Sequence, residues 1–180
     1  MPTLVNQEAH GDEAGALLGF LEAQRGAIRR TLHGVSDADA VRSPSASELS
    51  LAGVLKHVAE VERTWVEDAR GVPRSVRRDE TNWHLSHRLE EGESVAGVLA
   101  AWEEIAAGTE RFIRSLPDLD ETFMLPEAPW FPREPRSMRF LLLTLIQEMA
   151  RHAGHADVIR ETLDGKTAFE LIDEVAAAGA

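Results

Sequence analysis

A carboxylate and two imidazoles fall on one side of a single segment, Gln147-Glu148-Met149-Ala150-Arg151-His152-Ala153-Gly154-His155. At about 100° per helical residue, with Glu148 at the origin, His152 lies at about 40° and His155 at about −20°. The segment continues the most apolar run of the chain, Phe140 to Ile146, and has no proline or glycine before Gly154, so it reads as a mostly buried helix. Ionisable groups in such a place need partners, and a divalent metal suits nitrogen and carboxylate donors together. His57 has Val54 at i−3, Val58 at i+1 and Val61 at i+4, which turns it inward from another segment. With Glu148 and His152 it completes three protein ligands, leaving coordination positions open for water or substrate, as in a catalytic site. The same spacing also serves a hydrogen-bonded core histidine beside a helix-stabilising Glu–His pair, and does not by itself decide between the two.

Four amphipathic segments position these residues. The first runs from about Asp12 to His33, with Leu17, Leu18, Phe20, Leu21, Ile28 and Leu32 inside and Arg25, Arg29 and Arg30 expected on the wet side. The second begins after the N-cap Ser50 and ends near Arg70, before Gly71; the third begins after Ser94 and is stopped by Pro117. The fourth opens at Ser137 and stops at Gly165, and a short terminal helix is expected over 167–178. With no convincing strand alternation, the expected fold is all-α: one four-helix bundle domain over residues 1–180, loose before about Gly11. The long second-to-third and third-to-fourth connections leave room for crossovers. Trp83, His84 and His87 fall on the former and are read as a packed loop in preference to a roof over a pocket. Trp130-Phe131, among prolines on the latter, reads as an apolar anchor.

Composition narrows the function. A net charge of −12 argues against a nucleic-acid surface. The absence of cysteine excludes disulfides, iron–sulfur clusters and a protein thiol nucleophile, so any thiol chemistry needs an external thiol. The N-terminus is too polar for a signal peptide and the longest apolar run too short for a membrane span, which makes a cytoplasmic protein the expectation. Exposed helix faces allow a homodimer.

Three stretches resemble the DinB-like superfamily of four-helix metalloproteins, in the branch related to mycothiol-dependent transferases and isomerases. They are Phe20 to Arg25 in the first helix, Leu51 to Trp65 in the second and Glu148 to Asp157 in the fourth. Many superfamily members hold a divalent metal through three histidines, and here Glu148 replaces the first histidine of the helix-four pair. The resemblance implies a ligand set of His57, Glu148 and His152 on zinc, with nickel, iron or manganese as other occupants. His155 is left as a neighbouring support or substitute ligand. It further implies an S-transferase or isomerase in which a low-molecular-weight thiol, activated as thiolate, attacks a small electrophile. Arg151 or the arginines of the 70–78 loop then hold carboxylates of the thiol or substrate. Two other functions use the same residues: a metal-dependent hydrolase with Glu62 or His155 as base, and a non-catalytic metal-binding or dimerising bundle. Glu62 is otherwise read as a structural partner of an arginine, and Trp65 as core.

Overall fold

Side chains at the helix starts set the frame. In the computed structural model, which describes residues 5, 10–125 and 132–178, Asp12 caps α1 (Glu13–Thr31), Ser50 caps α3 (Leu51–Ala69) and Ser94 caps α4 (Val95–Arg114). Ser137 caps α5 (Met138–Asp164). Each caps by accepting a backbone N–H three residues on, one of the donors a helix start leaves unpaired. Gly165 ends α5 with a φ of 80°, a left-handed turn that glycine takes without strain. The short α2 (Asp37–Ala40) interrupts the first connection, and α6 (Ala168–Ala178) packs on α1. The Trp130-Phe131 anchor and most of the N-terminal segment read as loose lie outside the described residues.

The four long helices form an all-α bundle in which α5 packs against both α1 and α3, and α4 packs on α3 and α1. Helices α1 and α3 are therefore diagonal, as are α4 and α5. The first and third connections cross the bundle end, whereas the long 70–94 connection joins neighbours and is free to fold over one face. Ile28, Leu55, Trp102, Leu141 and Leu145 are among the fully buried core side chains. Two three-residue strands, β1 (Thr122–Met124) and β2 (Pro135–Ser137), pair antiparallel at the base of the third connection, Thr122 opposite Ser137. Three residues are too few for alternation to reveal a strand in sequence. Among the described residues no helix is long and apolar enough to cross a membrane.

Two arginines expected on the wet side are in the core. Arg25 and Arg30 are each 3% exposed. Arg25 is drawn in by Glu62 of α3, which is fully buried and accepts bonds from Arg25, from Trp102 Nε1 (2.9 Å) and from Thr109 Oγ1 (2.7 Å). One carboxylate so ties α1, α3 and α4 together. Arg160, also buried, donates to the Thr31 and His33 carbonyls (2.8 Å each) and fastens the end of α1 to α5.

Candidate metal centre

His57 projects from the second turn of α3, and Glu148 and His152 from adjacent turns in the middle of α5, the two helices being bundle neighbours. One donor atom from each of the three lies within 4.8 Å of the others. The two imidazoles meet edge to face with centroids 4.6 Å apart, and His152 Nε2 is 3.8 Å from Glu148 Oε2. Tetrahedral ligands about 2.0–2.1 Å from an ion stand about 3.4 Å apart, so small side-chain movements bring this set onto one cation. Two imidazoles and one carboxylate are also a donor set that zinc accepts.

The imidazoles are held in the form a metal requires. Burial, reinforced by His87 and His152, depresses the His57 pKa to about 3. Burial, with His155, His87 and Arg151 nearby, depresses that of His152 to about 4. Both rings are neutral at pH 7, with a lone pair to offer. The unfolded chain protonates these rings near pH 6.5 and the folded chain only near 3 to 4, so it is the unfolded state that gains protons in between. Their contribution to stability is present above about pH 6.5 and is lost as the pH falls toward about 4. Metal-free protein is accordingly expected to be less stable at pH 5 than at pH 7, by on the order of a few kcal/mol of unfolding free energy, and so to show a lower denaturation midpoint, with His57→Gln reducing the difference. Equal midpoints at the two pH values contradict this arrangement.

A 3-10 turn, Trp83–His87, lies over the centre and corrects the reading of this loop as packing alone. The His87 ring stacks on His57 with centroids 4.2 Å apart, and Trp83 stands edge-on to His57 at 6.2 Å. Ser86 places its hydroxyl 3.4 Å from His57 Nδ1 and 2.9 Å from His87 Nδ1, while His84 is exposed. The turn comes this close because position 53, one helical turn before His57, is glycine. A Cβ there would stand 2.1 Å from the His87 carbonyl oxygen. A glycine inside a helix costs about 1 kcal/mol relative to alanine, and that anomaly was the one sequence signal pointing to a close approach at this spot. The loop is further fastened by Arg78, which bridges Glu60 and Glu90, and by Lys56, which bonds Glu90 and Glu93 at 2.6 Å each. These partners hold the Glu90 pKa near 2.

A cleft of about 610 Å³ opens beside the cluster, and His57 and Glu148 form part of its wall. Val61, Trp65, Leu125 and Phe140 line one part; Trp65, expected in the core, is half-buried and meets Phe140 at 6.3 Å. Arg74 and Arg78 also line it, but Arg74 is paired with Asp68 and Arg78 with Glu60 and Glu90. Arg151 is exposed on α5 and outside this wall. His155 is exposed as well; its Nδ1 lies 3.5 Å from His152 Nδ1, and it is not one of the three clustered donors. Glu62 is bonded within the core and is not part of the cleft wall.

A profile of the mycothiol-S-transferase family matches residues 16–165, a span that includes all three clustered donors. The crystal structure of a conserved protein from Enterococcus faecalis superposes with a TM-score of 0.67 at 14% identity, covering 86% of this chain and 98% of that one. At that identity the likeness speaks for the fold. No curated protein matches the chain.

Proposed function

The chain belongs to the mycothiol-S-transferase family, and from that premise we propose that it transfers a low-molecular-weight thiol, mycothiol or a close relative, to a small electrophile. In this reading His57, Glu148 and His152 hold a divalent metal, zinc by preference. The observation that carries it is the meeting of the donor cluster and the cleft: His57 and Glu148 are at once donors and wall. A divalent cation bound there supplies positive charge that favours thiolate over thiol near neutral pH. The chain has no cysteine, so the sulfur nucleophile arrives with the bound thiol.

The remaining steps belong to the chain's own residues. The apolar wall of Val61, Trp65, Leu125 and Phe140 excludes water and seats the electrophile. Thr144 and Gln147 line the cleft, their side chains without a hydrogen-bond partner among the described residues, and offer hydrogen bonds to the thiol's polar body. Both lining arginines are already committed to carboxylates, and Glu60, Asp68 and Glu148 share the wall, so the cleft suits a neutral, hydrogen-bonding carrier better than an anion. His155 then orients His152, and Arg151 acts through the charge it places near that ring. Of the two bases open to the hydrolase reading, Glu62 has its oxygens taken by three donor residues in the core, and His155 is exposed and outside the cleft wall. The non-catalytic reading gives no reason for a cleft that reaches the donors. We place the reaction in the reducing cytoplasm, where small thiols are kept reduced.

The test is adduct formation between mycothiol and a reactive small electrophile. Zinc-loaded protein is expected to accelerate it, chelation to return the rate to background, and added zinc to restore it. A loaded protein that leaves the uncatalysed rate unchanged over a panel of electrophiles disproves the transferase reading.

A further inference from the structure

The hydroxyl of Ser86 has a single proton to give and two lone pairs. It lies 2.9 Å from the Trp83 carbonyl oxygen, an atom that can only accept, so the proton is spent there. What remains on Ser86 Oγ is acceptor capacity, faced by two imidazole nitrogens: His57 Nδ1 at 3.4 Å and His87 Nδ1 at 2.9 Å. Both contacts become hydrogen bonds only if each ring carries its proton on Nδ1. We infer that Ser86 is a positioning residue that selects the Nδ1–H tautomer of His57, leaving the Nε2 lone pair as the one available to a metal. The inference rests on the metal centre proposed above, and it adds a residue that is neither ligand nor in contact with the reacting atoms.

The surroundings make this selection rigid. Ser86 borders the cleft but is only 2% exposed, so water has little access to its lone pairs. The His87 ring stacks on that of His57 at an inclination of 19°, and both Nδ1 atoms lie within reach of the one Ser86 hydroxyl. Gly53 lets the whole turn seat against α3, since a Cβ at that position would collide with the His87 carbonyl. A turn held in this way fixes both the orientation and the protonation pattern of a ligand ring before a metal arrives, the role that outer hydrogen-bond partners of ligating histidines play in general.

Imidazole nitrogen chemical shifts in metal-free protein at neutral pH report the tautomer directly. In the wild type, His57 is expected to carry its proton on Nδ1. In Ser86→Ala it is expected to shift toward Nε2–H, with zinc affinity falling about 10- to 100-fold. Gly53→Ala, which leaves the serine in place but displaces the turn, is expected to change tautomer and affinity in the same direction. A wild-type His57 that binds zinc yet carries its proton on Nε2 overturns the assignment, whether or not the variants fold. So does a folded Ser86→Ala with unchanged zinc affinity. A wild type that binds no zinc removes the metal centre itself, and the two failures are thereby distinguished.

Discussion

Glu62→Ala is expected to cost about 3–5 kcal/mol, the loss found when one partner of a buried ion pair is removed and the other charge is stranded. That is a fifth or more of the roughly 5–15 kcal/mol that holds a typical domain together. The carboxylate is fully buried and serves donors from two other helices, so its removal leaves the Trp102 N–H unpaired and the buried Arg25 guanidinium with only the partly exposed Glu22, while the Thr109 hydroxyl falls back on the Ile105 carbonyl. Glu62→Gln keeps the volume and two polar atoms but loses the charge opposite Arg25, and an intermediate loss is expected. Denaturant titration measures both. If Glu62→Ala is as stable as the wild type while activity disappears, Glu62 is a catalytic base after all and the hydrolase reading returns.

Removing a ligand acts on metal affinity. Zinc bound by four protein groups gains roughly 10–16 kcal/mol, or roughly 2.5–4 kcal/mol per ligand. His57→Ala and His152→Ala are therefore each expected to weaken zinc binding on the order of 100- to 1,000-fold. Glu148→Ala is expected to fall in the same range, and transferase activity at limiting metal should fall with affinity in all three. His155→Ala removes a group that touches His152 but lies outside the donor cluster, and the expected loss is about 10- to 100-fold. Competition with a chromophoric chelator gives all four constants. Equal losses for His155→Ala and His152→Ala would show that His155 is itself a ligand.

The helices were legible because their signals are local. Ser50, Ser94 and Ser137 begin helices where a capping hydroxyl precedes an apolar period, and Gly165 ends one as expected. His57, Glu148 and His152 were legible as a set of types and spacings, and the bundle brings their donors within 4.8 Å. What sequence hid was decided by partners distant along the chain. Arg25 reads as solvent-facing until Glu62, 37 residues later, is seen to need it. Trp65 looks like core until the diagonal placement of α1 and α3 leaves a cleft along its face. The turn over the centre was hardest to read, because five residues of 3-10 helix have no periodicity to reveal them. The first connection's crossing followed from no residue in it; it is a consequence of which helix faces bury best against α5.

The most direct test of the centre is an anomalous difference map at the zinc absorption edge, from crystals grown with one equivalent of the metal. A single strong peak is predicted at about 2.0–2.2 Å from one nitrogen of His57, one nitrogen of His152 and a carboxylate oxygen of Glu148. A peak bound elsewhere on the chain, with this cluster lacking one, would contradict the account.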